Sequence, residues 1–408
     1  MKKIFIFIFT SFLAVNIFGI ESQAQQNEPV SWDVPGVYSV DIYDETWGEM
    51  TFAEQLEEVA LPEEIVDSLS TEAMAEWVLA YPFLGDLCLF DSANASMDYF
   101  SRTSYLFRSF FAREDVKKVL LDKFADLRVD YNMLADGNAD SGDLFTESGY
   151  FKELFLQSYF ATVLEELSES EKMVLKDILE EKYIEKSGLC DEFTTATLFY
   201  QEVLAEQGEI PDELMFQADL FPYEFVGESQ IADSALAYAE GFTNSGQVIA
   251  TNGGYYYVGV YNKYGVFVNC FMFYLVDLTP EEAKGQSDFI ATHHPSWTKV
   301  SDPTIKFNCH SYAWIQQSTS NVYWLDNPRT FASSSSFSYV GSNGGANSGD
   351  HIIVTNVQGQ PQHSLIAVST GTDCNSVNTI SKCGKAGIYY AMLADIFLAY
   401  GNEYEVYR

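Results

Sequence analysis

Positive charge is what this chain has little of: 22 Lys and Arg stand against 59 Asp and Glu in 408 residues, a formal net charge of −37. Phosphate backbones and anionic headgroups repel such a polyanion, which excludes nucleic-acid binding and peripheral membrane attachment. Cysteine is scarce as well. Six cysteines (88, 190, 270, 309, 374 and 383) are too few to staple a chain of this length, so packing must hold the fold. Of these, Cys374 and Cys383 are near enough in sequence to pair across a turn, while Cys88 and Cys190 sit in helical, apolar contexts and read as core residues. Histidine is confined to five positions (293, 294, 310, 351 and 363), which narrows the choice of any general base. Apolar material is plentiful. With 47% hydrophobic and 15% aromatic residues, the chain can bury a core large enough to offset its ordering entropy.

The first residues read as a targeting segment. Lys2 and Lys3 precede an apolar stretch from Ile4 to Phe18, and Ser22-Gln23-Ala24 offers a small-residue cleavage site. Residues 1–24 are therefore expected to be a signal peptide cleaved near Ala24, and the mature chain to be secreted, periplasmic or extracellular. The apolar stretch is shorter than the roughly 20 residues a spanning helix needs, so stable membrane insertion is not expected.

Charge divides the remainder. Residues 25–230 hold 45 acids and 12 bases (net −33), residues 231–300 hold 6 and 3, and residues 301–408 hold 7 and 5 (net −2). The acidic part has helical periodicity over 54–59, 70–80, 114–131, 151–167 and 169–186, with hydroxyl caps at Ser70 and Ser168. From about residue 245 the texture turns to β-branched and aromatic runs bounded by turn residues, at 247–250, 255–261, 266–276, 352–357 and 364–369. The expected fold is multidomain: an all-α acidic domain over 25–230, a β-rich connection over 231–300, and an α+β domain over 301–408. An acidic helical domain suits a cationic protein partner.

The most informative stretch is Phe307-Asn308-Cys309-His310-Ser311-Tyr312-Ala313-Trp314, which follows a short strand candidate at 304–307 and opens a helix to about Gln317. A thiol in the first helical turn is placed as a nucleophile, beside backbone N–H groups that can receive an oxyanion. His310 adjoins Cys309 and is expected to point to another face. His363 is the better base, because it opens the strand-like run His363 to Val368 after a Gly349-Asp350 turn and a strand from Ile352. A further strand candidate at 377–381 can present a polar orienting group to the imidazole. Tyr312 and Trp314 read chiefly as packing residues, with substrate contact as the alternative.

This order resembles the papain-like superfamily of bacterial cell-wall amidases and peptidases, of NlpC and CHAP type, within a group of secreted bacterial proteins having the NCHSYAW motif. The resemblance covers residues 300–390. It implies a nucleophile helix packed on an antiparallel sheet and Cys-based acyl transfer at an amide bond, with a peptide or peptidoglycan-like substrate. Cys309 matches the nucleophile, His363 the base, and Ser381, or else Asn378, the third polar position. The alternative is a binding protein on a catalytically silent scaffold of the same type.

No cofactor and no resident metal are expected. His293-His294-Pro295 lacks further ligands at metal spacing and reads as an ordinary loop. Asp136 to Glu147 places acids at several positions of a calcium loop, but Ser141 stands where the sharp turn requires Gly, so a solvated linker is the better reading.

Overall fold

The computed structural model describes residues 35–130, 146–186, 242–252, 255–262, 267–273, 277–278, 280–315, 317–320, 324–325, 327–332 and 337–408. The signal segment and the acidic stretch from Asp136 to Asp143 lie outside the described residues. An N-terminal helical region spans 45–179, and the C-terminal region is α+β, with a seven-stranded antiparallel sheet. Among the described residues, no helix is long and apolar enough to cross a membrane.

Local chemistry sets the helix starts. Thr51 and Glu54 form a reciprocal capping box at the head of helix Phe52–Glu58, and Ser70 accepts the Ala73 N–H before helix Thr71–Leu79. Ser168 and Glu171 exchange the same pair of bonds before helix Glu169–Lys186. Aromatic rings fill the space between helices Ala93–Thr103, Tyr105–Phe111 and Tyr150–Val163. Phe100 stacks on Phe107 with centroids 4.7 Å apart, and Phe111 stacks on Tyr159 at 5.5 Å.

The C-terminal strands are β1 (Phe242–Asn252), β2 (Tyr255–Asn262), β3 (Phe267–Phe273), β4 (Thr298–Ser301), β5 (Trp324–Leu325), β6 (Tyr339–Ser342), β7 (His351–Thr355), β8 (Pro361–Ala367), β9 (Asn378–Lys382), β10 (Ile388–Met392) and β11 (Glu403–Tyr407). One sheet has the order β1-β2-β3-β5, the other β4-β10-β9-β8-β7-β11-β6. The expected strand at 304–307 is absent: these residues form bends leading to Cys309, and pairing with β10 is made by β4 instead. The Gly349-Asp350 turn forms as expected. Gly349 takes φ +93°, and Arg408 grips both Asp350 carboxylate oxygens at 2.8 and 2.6 Å.

Alternation along the strands divides the larger sheet into two buried faces. Ile352, Val354, Leu365, Ala367, Tyr389 and Ala391 belong to one apolar cluster that runs continuously from Trp47 in the helical region to Val406 in β11. On the opposite face, Ser364 lies under helix Cys309–Trp314, in register with Ile353.

The two regions therefore share a core, and their seam is the 3-10 helix Leu84–Leu89, all six residues of which are buried. The Cys88 carbonyl accepts N–H groups of Lys385 and Ala386 at 2.9 and 3.2 Å, and Tyr400 donates to the Leu89 carbonyl. Arg102 reaches across to the carbonyls of Leu398 and Ala399 at 2.8 and 2.7 Å, which satisfies the open end of helix Leu393–Tyr400. Asp86 completes the seam, accepting from Tyr99 at 2.6 Å and pairing with His294 Nε2 at 2.8 Å. This replaces the loop expected at His293-His294: His293 ends helix Pro280–His293 and stacks on Phe289, and both histidines are buried.

Gly384 carries φ +44°, and a Cβ there would collide with the Leu89 backbone. Gly384→Ala is thus expected to lower stability by about 2–3 kcal/mol, read as a fall in the urea midpoint. An unchanged midpoint would show that the seam yields without cost.

Candidate active site

The site is assembled around Asn308. Its Oδ1 accepts the Ser311 N–H at 3.0 Å, capping helix Cys309–Trp314, and also the Leu325 N–H of β5 at 3.1 Å. Its Nδ2 donates to the Leu325 carbonyl at 3.1 Å and to Asp91 Oδ2 at 3.2 Å. One side chain thereby ties the short helix, a strand and the end of the seam segment together. Cys309 follows as the first helical residue, 1% exposed.

Its sulfur has two partners. The thiol donates to Asp91 Oδ2 at 3.5 Å, a contact between residues 218 apart in sequence, and the Ser364 backbone N–H donates to the sulfur. The second partner follows from the sheet. β8 and β9 pair only at Ile366/Ile380 and Ala367/Thr379, so beyond Ile366 the β8 backbone faces the sulfur rather than a strand.

Burial, then the neighbouring Asp91 charge, pushes the Cys309 thiol well above its ordinary value. Burial likewise raises Asp91, against the pull of Lys382 and the hydrogen bonds from Cys309 and Asn308. Lys382 is fully buried and is pushed down to about 8 by that burial, with Asp91, Cys383 and Cys309 opposing. The ring of His310 holds Ser364 Oγ through Nδ1 at 2.8 Å, and the same oxygen accepts the Trp314 Nε1–H at 3.1 Å. Burial pushes His310 down to about 3, so it is neutral at pH 7. The sulfur, a carboxylate oxygen of Asp91 and a ring nitrogen of His310 all lie within 4.8 Å of one another. His310 therefore does not point away from the site: Cys309 meets the β8 backbone and His310 meets the β8 side-chain face, so consecutive residues flank one strand.

His363 occupies the opposite face of β8 from the Ser364 hydroxyl. Its ring stacks on Tyr400 at 3.8 Å, makes no hydrogen bond to Cys309, and leaves Nε2 buried without a partner among the described residues. Burial, with His310 and Lys382 nearby, pushes it well below its ordinary value. Ser381 alternates onto the same face of the sheet as His363, but its hydroxyl is paired with Cys383 at 3.7 Å. Asn378 is exposed at the far end of β9, beside Val368, where it cannot reach the imidazole. Tyr312 and Trp314 are 4% and 6% exposed and pack as core residues, Trp314 against His351 and Phe337. Cys374 and Cys383 are free thiols, because β9 runs between them and holds them at opposite ends of the strand.

Asp91, Lys382 and the inward turn of His310 were not legible in the sequence. Asp91 sits among many acids in a helical region, and only the neutral run Leu87 to Phe90 before it hinted at burial.

Two expectations follow. Iodoacetamide should label Cys309 slowly at pH 7, and Asp91→Asn, which removes the negative neighbour, should raise the rate about tenfold or more; an unchanged rate would mean that Asp91 does not control the thiol. His310, His351 and His363 all have folded values depressed by burial, to about 3, to about 4 and well below 6.5 respectively. The unfolded chain therefore binds more protons as pH falls below 6.5, and stability is lost in that direction by up to about 1.4 kcal/mol per pH unit for each imidazole. Asp91, raised by burial, works in the opposite sense. Urea midpoints between pH 7 and about 4 should fall steadily.

Compared with known proteins, the chain matches no family model, no curated protein and no solved structure, so the reading of the site rests on its own residues.

Proposed function

We propose that the protein is a secreted cysteine peptidase or amidase of papain-like type, in which Cys309 attacks an amide carbonyl and His363 accepts the thiol proton and returns it to the leaving amine. The observation that carries this reading is the position of the Cys309 sulfur, at the head of a helix and against the β8 amide one residue after His363. Ser381 is the polar group that would steady the ring on this reading, which requires its hydroxyl to leave Cys383. A peptide, including peptidoglycan-like peptide, is the substrate class that the resemblance implies.

On this reading the described arrangement is a resting form. Asp91 covers the sulfur and Tyr400 holds the imidazole, so turnover requires the end of the seam segment to shift and His363 to leave its stacking partner. The acidic stretch 25–230, net −33, repels an anionic wall polymer and favours a cationic protein or peptide. A second reading, a binding protein on a silent scaffold, is favoured by the same burial of the thiol.

Incubation with muropeptides and with a peptide library should release free amines. Cys309→Ala should abolish release, and His363→Ala should lower kcat at least about a hundredfold. If neither substrate set yields product, and a cysteine-directed acyl probe labels Cys309 equally with and without His363, the silent scaffold is the correct description.

A further inference from the structure

Three donors suited to a borderline transition metal meet behind the proposed nucleophile. Thiolate, imidazole and carboxylate together form a ligand set for zinc-class ions, and three protein ligands leave room for a fourth from solvent. Here they come from both regions of the chain: Asp91 ends the seam segment, while Cys309 and His310 open the helix on the sheet. Their donor atoms fall within 4.8 Å of one another, and the sulfur and Asp91 Oδ2 are 3.5 Å apart, a spacing that ligands about 2.0–2.3 Å from a common centre adopt.

A second observation points to a missing ligand. Asp91 Oδ1 is buried and has no hydrogen-bond partner among the described residues, although Oδ2 of the same carboxylate receives Asn308 and Cys309. A buried carboxylate oxygen without a donor is costly, and a cation satisfies it. The surroundings fit metal ligation in two further ways. Ser364 Oγ, itself held by the Trp314 Nε1–H, fixes the His310 ring through Nδ1, as outer-shell groups commonly do for metal-bound imidazoles. The Ser364 N–H is aimed at the sulfur, a bond that favours thiolate over thiol.

We propose that Asp91, Cys309 and His310 bind one zinc-class divalent ion. Binding forms the metal–sulfur bond and releases the thiol proton to solvent, so two anionic ligands neutralise the ion's two charges. On the reading of Cys309 as nucleophile, the ion ties up the sulfur's electron pair, and metal occupancy excludes acyl transfer.

The test uses the full chain stripped with a chelator and titrated with Co²⁺, then with Zn²⁺. The expected result is one equivalent of Co²⁺ with a thiolate-to-cobalt charge-transfer band, displaced by Zn²⁺. The band should vanish in Cys309→Ser, and affinity should fall at least about tenfold in Asp91→Asn and in His310→Gln. A cobalt spectrum of the aqueous ion only, or a band and affinity unaltered in both ligand variants, overturns the site. Should a variant fail to fold, proton release from the unaltered chain on adding Zn²⁺ decides: about one proton per ion supports the site, and none overturns it. No substrate enters the measurement, so a failed peptidase assay and a failed metal titration are separate outcomes.

Discussion

The insertion of Leu84–Asp91 against the end of the seven-stranded sheet is the constraint on which the rest of the structure depends. It is a backbone-to-backbone junction. Carbonyls of Cys88 and Leu89 are taken up by Lys385, Ala386 and Tyr400, and Gly384 gives up its side chain so that the two stretches can touch. Buried backbone groups must be paired, so this junction fixes the height at which the helical region docks, and with it the position of Asp91 beside Cys309. The apolar cluster shared by both regions supplies the main driving force for that docking, and the hydrogen bonds set its register.

The chemistry at the junction is one of opposed burial. A thiol, a carboxylate, an ammonium and an imidazole are held where water is largely excluded, each at odds with its charged form. Taken singly, each favours neutrality. Taken together, Asp91 and Lys382 partly compensate, and the thiol keeps its proton on the carboxylate. Such a site is quiet until something changes its balance, whether movement of the seam, arrival of a cation or displacement of the imidazole from Tyr400.

Much of the scaffold was legible in local pattern. Helices at 70–80, 151–167 and 169–186 appear within a few residues of their expected bounds, with hydroxyl caps at Ser70 and Ser168, because capping and 3.6-residue periodicity act over a single turn. The strands around His351, His363 and Asn378 were legible for the same reason. β10, helix Leu393–Tyr400 and β11 were not assigned from the sequence; their strand partners and packing are set by contacts far apart in the chain.

The sequence by itself determined that a helical region precedes an α+β region and that Cys309 opens a helix, for these rest on composition and on contacts within a few residues. Only the tertiary structure decided what surrounds the sulfur. His363, expected beside it, is stacked on Tyr400 without a hydrogen bond to the sulfur, Asn378 stands at the far end of its strand, and Asp91, Lys382 and His310 are the groups brought in. The reason is geometric: a side chain's face depends on strand register, and a partner 218 residues away depends on how two regions dock, neither of which leaves a periodic trace in the chain.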